Sequence, residues 1–405
     1  MAKTPNLSHG RDYLAIPGPS VIPDAVLRAM HRSSPNIYEG ELIDLTATLI
    51  PDLKAVARTD HSVAIYIGNG HAAWEAALVN TLQEGDKVLV PSSGQFAHSW
   101  ANMATALGID CEILEFGKQS PFDIDRISEV LAQDTAHKIK AVLAVHVDTS
   151  TGIRNDPTAI RAALDALDHP ALLMADCIAS LGCDRFEMDD WGVDIMVAAC
   201  QKGLMTPAGL GFVFFNDRAK RARAGLKRVS NYWDWTPRAD PEFYYQYFGG
   251  TAPTHHLYGL RAALDMIGNE GLENVWDRHA ILAHAVWAAF DAWGREGSLR
   301  MNAADPAYRS HAVTALRIDP PYGTKLRAWA QKEIGLTLGM GLGMAPSGDR
   351  AWHGFFRLGH MGHVNGHMIL GALGGIQAGL RALKIPHGSG ALDAAADVIA
   401  GQRGP

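Results

Sequence analysis

Lys202 lies just beyond the apolar run VDIMVAAC, in the stretch AACQKGLMTPAGLG. A lysine at the end of a buried strand loses much of its hydration. That loss lowers the pKa of the amine and can make it a nucleophile. Taken alone, Lys202 is better explained as a surface lysine whose alkyl chain lies along the strand end than as a reactive amine. The residues at other strand ends therefore bear on its role.

Asp176 ends a second apolar run, ALLMADC, and lies 26 residues before Lys202. That interval is long enough for one crossover connection and the next strand, so both residues can lie at the ligand-binding edge of an open sheet. A buried carboxylate requires a cationic partner, and either Lys202 or a protonated ring nitrogen would serve. Capping of a helix N-terminus is the alternative role for Asp176.

Two further strand ends carry polar residues. Asn69, Gly70 and His71 follow the run VAIYIG and open a helix, whose first N–H groups form an anion site suited to phosphate. The spacing matches neither GxGxxG nor a Walker A loop, and a plain turn is the alternative. Thr149 lies in HVDTSTG, a cluster of short hydrogen-bonding side chains that ST-turns or helix caps would also explain.

In the last third of the chain, Arg357 stands between an aromatic run and a glycine in GFFRLGHMGH. Its planar guanidinium suits a carboxylate, and a structural ion pair is the alternative. His360 and His363 lack a carboxylate or cysteine at matching spacing, so we predict no metal site. The run GMGLGM from 339 to 344 lacks the strand-turn-helix context of a nicotinamide site, and we interpret it as a flexible loop.

The elements that must position these residues are short apolar strands that alternate with helical stretches. Continuous apolar strands of this kind predict an α/β fold, in which helices cover both faces of a mostly parallel sheet and ligands bind at the carboxyl ends of the strands. The predicted strands lie in VAIYIG, KVLVPSS, CEILEF, KAVLAVHV, ALLMADC, DIMVAAC and LGFVFF.

The character of the chain changes after about residue 216. An aromatic stretch, NYWDWTPRADPEFYYQYFGG, precedes one long helical segment from about 257 to 294, and the tail reads as a final helix. We predict an N-terminal segment (1–25) near the active site, a large ligand-binding domain (26–279) and a smaller C-terminal α+β domain (280–405). No low-complexity linker separates the two domains, which predicts close packing around a cleft.

The composition limits the possible partners. The 405 residues are 47% hydrophobic and carry a net charge of −7, which argues against nucleic acid and anionic membranes as partners. The sequence offers neither a signal-peptide pattern nor an apolar run near 18 residues, so we expect a cytoplasmic protein. The four cysteines lie in apolar segments without CxxC spacing and are expected to be reduced packing residues.

Taken together, DCIASLG, CQKG, GNGHAAWEAALVN, HVDTSTG, IPGPSVIP and FRLGHMG resemble class V pyridoxal-phosphate aminotransferases, most of all the serine–glyoxylate and alanine–glyoxylate branch. The likeness extends from about residue 14 to 385, with the motifs in the family's order. It implies a fold type I transferase that binds pyridoxal 5′-phosphate (PLP) and works as a homodimer with shared active sites. Its substrates would be a small amino acid and a 2-oxo acid.

The resemblance also implies a role for each matching residue. Lys202 would hold the cofactor covalently and move the Cα proton, and Asp176 would keep the pyridine nitrogen protonated. Arg357 and the backbone near Gly18 would bind the substrate carboxylate. The remaining cofactor contacts are the phosphate-binding Asn69, Gly70, His71, Gln201 and the partner subunit's Thr251, with Thr149 at the ring oxygen and Phe96 stacked on the ring.

One position departs from this pattern, since relatives often carry a tyrosine where Phe248 stands, and Tyr245 or Tyr247 is a candidate to replace it. Serine, alanine and aspartate remain open as amino donors. The substrate side-chain pocket is expected among Tyr38, Trp233, His255 and the aromatic stretch 232–248, for which interface packing is the alternative.

Three rival functions make different demands on the sequence. A cysteine desulfurase needs a catalytic cysteine late in the chain, yet the last cysteine is Cys200. A nicotinamide oxidoreductase needs a glycine-rich turn that GNGHAAWEAALVN lacks. A pyridoxamine–pyruvate-type transaminase would bind the free vitamin, against which the phosphate-type residues argue. This transaminase and other fold type I enzymes, such as a lyase, remain the alternatives.

Overall fold

The computed structural model describes residues 7–401. Its strands are β1 Tyr13–Ala15, β2 Ser62–Gly68, β3 Lys87–Ser92, β4 Asp110–Glu115, β5 Ile139–Val145, β6 Val147–Asp148, β7 Ile153–Arg154, β8 Leu172–Asp176, β9 Ile195–Ala199, β10 Gly209–Phe215, β11 Arg300–Met301, β12 Val313–Arg317, β13 Leu336–Met340 and β14 Phe355–Gly359. Its α-helices are α1 Asp24–Met30, α2 Glu41–Ala57, α3 Gly70–Val79, α4 Gln95–Ala106, α5 Ile124–Gln133, α6 Pro157–Ala166, α7 Asp217–Gly225, α8 Thr236–Ala239, α9 Thr254–Glu270, α10 Leu272–Trp293, α11 Tyr322–Ile334, α12 Gly366–Ala382 and α13 Ala391–Ile399.

The seven apolar runs predicted as strands form one sheet, in the order β2-β10-β9-β8-β5-β3-β4. β10 is antiparallel to both of its neighbours, and the other neighbouring pairs are parallel. β8 and β9 are buried along their whole length, which explains why their sequences are continuously apolar. The predicted α/β fold with a mostly parallel seven-stranded sheet is confirmed.

Helices cover both faces of this sheet, and alternate residues of β5 enter two separate cores. Val142 packs in the core that also contains residues of α2, α5, α6 and α9, whereas Leu143 packs in the core formed with α3 and α4. Side-chain oxygens of Asn69, Asp123 and Asp156 accept hydrogen bonds from the first N–H groups of α3, α5 and α6. These caps satisfy backbone donors that have no partner within the helix.

A second, five-stranded sheet has the order β1-β13-β14-β12-β11. Four of its strands come from the C-terminal part of the chain, and β1 from the N-terminal segment pairs in parallel with β13. The predicted loop at GMGLGM is partly wrong, because Gly339 and Met340 belong to β13 and pair with Arg357 and Phe356. Glycine suits this position, since a Cβ on Gly339 would press against Pro17.

The long helical segment is two helices, and the prediction of one was wrong. Gly271 separates α9 from α10 with a φ of 85°, a left-handed conformation that breaks the helix. The start of α10 and its later turns pack in different hydrophobic cores: Val275 packs in the core of the large sheet, and Leu282 packs in the core of the second sheet. We therefore propose 26–279 and 280–405 as the two domains. Residues 1–6 and 402–405 of the predicted segments lie outside the described residues.

Among the helices of residues 7–401, none is both long and apolar enough to cross a membrane. All four cysteines are free. Cys177, Cys183 and Cys200 are buried, and burial raises the pKa of each thiol. Cys111 is partly buried on the edge strand β4 and packs against the core formed with α3 and α4.

Candidate active site

The carboxyl ends of β2, β5, β8 and β9 surround a cavity of about 190 Å³. Strands that run parallel end at the same edge of a sheet, so residues far apart in sequence meet there. The structure brings together eight of the predicted cofactor residues in the cavity wall: Asn69, Gly70, His71, Phe96, Thr149, Asp176, Gln201 and Lys202. The same wall includes Trp74, Val147, Ile178 and Ala179.

Lys202 reaches across the cavity toward the N-terminal segment. Its Nζ donates a hydrogen bond to the carbonyl oxygen of Pro17. Burial, followed by the charge of Arg357, lowers the pKa of Lys202 to about 8, and the charge of Asp176 acts in the opposite direction. A lysine amine with this pKa has a substantial neutral, nucleophilic fraction near neutral pH.

Asp176 is a buried carboxylate that does not form an ion pair within the described chain. Its Oδ1 accepts from the backbone N–H of Ile178 at 2.8 Å, and its Oδ2 accepts from the indole Nε1 of Trp74 at 3.1 Å. Burial raises the pKa of Asp176 to about 7, and the nearby Asp148 contributes in the same direction. A carboxylate held this way would gain from a cationic partner in the cavity.

The N-terminus of α3 faces the cavity beside Asp176. Asn69 caps the helix by accepting from the backbone N–H of His71 at 3.0 Å, and burial lowers the pKa of the His71 ring. Gly70 leaves no room for a side chain, because a Cβ there would collide with Ile178. Gln201 Oε1 is buried without a hydrogen-bond partner. An anion at the helix N-terminus is favoured by the exposed N–H groups and the helix dipole.

Phe96 is held in place from a distant part of the chain. The N-cap of its helix, Gly94, has no side chain, and Asp148 takes that role: its Oδ2 accepts from the backbone N–H of Phe96 at 2.8 Å. Ser150 Oγ accepts from the backbone N–H of Gln95 at 3.0 Å and donates to Asp148 Oδ1. The hairpin β6–β7 therefore fixes both Thr149 and the ring of Phe96 at the cavity.

Arg357 is on β14, outside the residues that line the cavity, and is buried between the two sheets. Its Nε donates to the carbonyl oxygen of Met340 at 2.6 Å, and its Nη1 donates to the carbonyl oxygen of Thr149 at 2.9 Å. Burial lowers its pKa to about 10, which leaves the guanidinium charged at neutral pH. The donors not used in these bonds are available to a carboxylate.

The N-terminal segment closes the side of the cavity next to Lys202. Ser20 binds the chain around Lys202 twice, as its N–H donates to the Gln201 carbonyl at 2.9 Å and its Oγ donates to the Lys202 carbonyl at 2.7 Å. Gly18 has a φ of 104°, and a Cβ there would collide with the Lys202 side chain. The positive φ favours glycine at this position, and the absence of a side chain lets the end of Lys202 approach the backbone.

Several predicted residues lie outside the cavity of the described chain. Thr251 is exposed and does not line it. Tyr38 is 86% exposed, His255 Nε2 contacts the Arg32 carbonyl at 3.0 Å, and Trp233 packs against Tyr66. The candidates for a side-chain pocket therefore do not form one within this chain.

The aromatic stretch is organised by Arg238, whose buried guanidinium donates to the carbonyl oxygens of Ile65, Tyr232 and Tyr247. Phe248 is fully buried. Sequence reasoning missed the contact of Trp74 with Asp176, although the motif GNGHAAWEAALVN contains the residue, because a tryptophan on an apolar helix face has the pattern of an ordinary core residue.

His360 and His363 do not form a metal site. His360 is buried and bonds Thr314 Oγ1 and the His311 carbonyl, both at 2.9 Å, and burial lowers its pKa to about 4. Across residues 7–401, no group of three or more histidine, cysteine or acidic side chains is arranged to hold a metal ion.

Residues 52–339 match the family described as aminotransferase class-V. The chain belongs to this family. The class V aminotransferase is 39% identical to the serine–glyoxylate aminotransferase of Methylorubrum extorquens, over 94% of each chain. It is 34% identical to the L-aspartate–glyoxylate aminotransferase of Paracoccus denitrificans, over 92% of this chain and 91% of the relative.

Among solved structures, the pyridoxamine–pyruvate aminotransferase of Mesorhizobium loti superposes on this class V aminotransferase with a TM-score of 0.86, at 25% identity, and the match covers 98% of this chain and 99% of that one. The predicted family, the fold type I architecture and the assignment as an aminotransferase are confirmed. Membership of the family implies PLP as cofactor.

The residues present fit PLP. The helix N-terminus with the unpartnered Gln201 Oε1 suits a phosphate, and Asp176 suits a protonated ring nitrogen. Lys202 provides an amine with a lowered pKa in the same cavity.

Proposed function

We propose that this aminotransferase holds PLP through Lys202 and transfers the amino group of a small L-amino acid to glyoxylate or another small 2-oxo acid. The observation that carries the proposal is that Lys202, Asp176 and the N-terminus of α3 line one cavity in a class V chain. The choice of acceptor is supported by relatives at 39% and 34% identity, which are both named for glyoxylate.

The proposed cofactor contacts divide the cavity into three parts. Asn69, Gly70, His71 and Gln201 would bind the phosphate, with Thr251 of a second subunit. Asp176 would hold the proton on the ring nitrogen, while Phe96 stacks on the ring and Thr149 contacts the ring oxygen. When bound, PLP withdraws electrons from the substrate Cα and so makes its proton acidic.

The chain's own residues would then control one proton and one carboxylate. Once the incoming substrate amine has displaced it from the cofactor, Lys202 Nζ would be a free amine, neutral in part because its pKa is lowered. It would accept the proton from the substrate Cα and hold it for return on the cofactor side. Arg357 uses its remaining guanidinium donors to bind the substrate carboxylate, with the backbone at Gly18 on the opposite side. These contacts orient the Cα–H bond toward Lys202.

Two alternatives rest on the same fold. A pyridoxamine–pyruvate-type reaction is favoured by the match to the Mesorhizobium loti structure. The phosphate-type surroundings of α3 support the phosphorylated cofactor instead. A lyase reaction would use the same Lys202 and Asp176 and would release a product other than a 2-oxo acid.

A homodimer with shared active sites and a cytoplasmic location belong to this proposal. The homodimer is supported by Thr251, which is exposed in the single chain although the family resemblance places it at the phosphate. Light scattering of the purified protein and fractionation of the source cells test these two points.

The test is the visible absorption of purified wild-type protein beside Lys202→Ala, with L-serine, L-alanine and L-aspartate added in turn. We expect wild type to show the band of lysine-bound PLP, Lys202→Ala to lack it, and the true donor to bleach the band until glyoxylate restores it. Free pyridoxamine with pyruvate is the comparison for the vitamin-binding alternative. A wild type that gains no band with added PLP would disprove the proposal.

A further inference from the structure

Trp74 lies one turn inside α3 and lines the cavity beside Asp176. The tryptophan is fully buried, and its indole Nε1–H donates to Asp176 Oδ2 at 3.1 Å. Because Ile178 N–H donates to Oδ1 at 2.8 Å, each carboxylate oxygen has one donor. Two donors on opposite oxygens fix the plane of the carboxylate.

The ring of Trp74 is itself held by its neighbours. It stacks on Trp100, with ring centroids 5.8 Å apart and an interplanar angle of 12°. It meets the ring of Phe96 edge-on at 6.3 Å and lies 4.6 Å from the ring of His71. The indole therefore cannot rotate away from Asp176 without disturbing these three rings. It lies between the phosphate, ring and ring-nitrogen parts of the cavity.

We propose that Trp74 is a positioning residue that orients the Asp176 carboxylate toward the cofactor's ring nitrogen and keeps it ionised. The inference rests on the proposed function, because Asp176 has this task only if PLP binds here. A donated hydrogen bond stabilises the charged form of a carboxylate. Removal of the indole N–H takes away the donor that the described chain gives to Oδ2, and a buried carboxylate that loses a donor is destabilised in its charged form.

The surroundings of Asp176 make this donor important. Burial raises the pKa of Asp176 to about 7, and the charge of Asp148 acts in the same direction. Lys202 acts in the opposite direction, and the adjacent Cys177 thiol is neutral because burial raises its pKa. Loss of the Trp74 donor would raise the pKa of Asp176 further and would leave the carboxyl group protonated in neutral solution.

The chain offers a matched control for the test. Trp100 is also fully buried and stacks on Trp74, but its Nε1 has no hydrogen-bond partner. Trp74→Phe and Trp100→Phe therefore remove the same ring atoms from adjoining places in one core. A loss that comes only from packing would affect both variants, whereas a loss through Asp176 would affect Trp74→Phe alone.

The first measurement is a titration of cofactor-free protein with PLP, followed by visible absorption. We expect Trp74→Phe to weaken PLP binding about tenfold, since a hydrogen bond to a charged group is lost. Trp100→Phe should stay within about twofold of wild type. In an Asp176→Asn background, Trp74→Phe should add little, because the two changes act on one interaction.

The second measurement needs no cofactor. The folded pKa of Asp176 lies above the unfolded value of 3.8, so the contribution of this group to the stability of the cofactor-free protein falls as the pH rises from about 4 to 7. Relative to wild type, Trp74→Phe should lose further stability in urea unfolding as the pH rises above 7, whereas the difference between Trp100→Phe and wild type should not change with pH.

Three results are informative. Equal behaviour of the two variants in both measurements overturns the inference, while PLP binding by wild type leaves the proposed function intact. Failure of wild type to bind PLP overturns the proposed function and the role of Trp74 with it. Weaker PLP binding and a shifted pH dependence in Trp74→Phe alone establish the inference.

Discussion

Burial and the nearby guanidinium of Arg357 lower the pKa of Lys202 from 10.5 to about 8. At this residue the folded chain therefore binds fewer protons than the unfolded chain between pH 8 and 10.5, and the contribution of Lys202 to the stability of the cofactor-free protein rises with pH in that window. Below pH 8 the full penalty of the charged, buried amine is present, on the order of 3 kcal/mol. The amine's reactivity and its cost in stability have the same physical cause.

The first prediction follows from the destabilising effect of the charged Lys202 amine. Lys202→Met should make the cofactor-free protein more stable than wild type at pH 7, by roughly 2–3 kcal/mol, because it removes a charge held out of water. Its advantage should shrink as the pH rises through 8–10.5. Urea unfolding at several pH values measures this, and a pH-independent difference would argue against a buried charge at Lys202.

The second prediction concerns Arg357, which donates to the carbonyl oxygen of Met340 in the second sheet and to that of Thr149 at the cavity. Arg357→Lys should lower kcat/KM for the amino donor by roughly 10- to 100-fold, because a lysine cannot bond these carbonyls and the substrate carboxylate together. The PLP band should persist.

Arg327→Lys is the control for this change. The charge of Arg327 is close enough to lower the pKa of Arg357, and the Arg327 Nε donates a long hydrogen bond to the Leu338 carbonyl oxygen, at 3.4 Å. Its substitution should change kcat/KM by no more than about twofold. Equal losses in both variants would mean that the loss comes from disturbed packing around the second sheet and not from a carboxylate contact.

At the scale of elements, α4 depends on a cap from outside its own sequence. Most caps come from the residue directly before the helix, as Asp123 does for α5. The N-cap residue Gly94 has no side chain, so Asp148 accepts from the helix N-terminus instead. A Cβ on Gly94 would collide with the Asp148 carboxylate. The hairpin β6–β7 thereby joins α4 to the strand end that carries Thr149.

The third prediction compares these two caps. Asp148→Ala and Asp123→Ala should each lower the free energy of unfolding by about 1–2 kcal/mol, because each removes a helix N-cap. Only Asp148→Ala should also weaken PLP binding, since Phe96 and Thr149 lose their support. Thermal unfolding and PLP titration measure the two effects, and normal PLP binding by Asp148→Ala would count against the supporting role.

At the scale of the whole molecule, the two sheets are joined close to the cavity. Asp184, in the loop after β8, accepts from Ser310 Oγ at 2.7 Å and from the backbone N–H of His311 at 2.8 Å. Arg357 adds a second link through Thr149. The cavity and the arginine that would bind substrate are therefore held together by fixed contacts between the sheets.

The fourth prediction tests whether active sites are shared between subunits. Thr251→Asp should weaken PLP binding, because a carboxylate beside the phosphate is repelled. Neither Lys202→Ala nor Thr251→Asp homodimers should transaminate. When equal amounts of the two variants are mixed, half of the dimers should be mixed, and each mixed dimer has one intact site of two. The mixture should therefore recover about one quarter of wild-type activity. Activity after unfolding and refolding the mixture measures this. No recovery, with mixed dimers present, would assign Thr251 to its own subunit's site.

The sequence by itself determined the large sheet and most of the site. Seven apolar runs became seven strands, and the clearest runs are inner strands such as β8 and β9, because a strand buried on both faces reads as a continuous apolar segment. Asp176, Thr149 and Lys202 could be placed near one another, because parallel strands end at one edge. The sequence also placed the N-terminus of a helix after the strand end at Asn69, and the structure adds that the Asn69 side chain caps this helix.

Only the tertiary structure decided which distant groups touch. The pairing of β1 with β13, the cap of α4 by Asp148 and the contact of Trp74 with Asp176 link residues far apart in sequence. No local pattern distinguishes a tryptophan that donates to a carboxylate from one that fills a core, as Trp100 does. The difference depends on where the chain places an acceptor, and long-range packing sets that position.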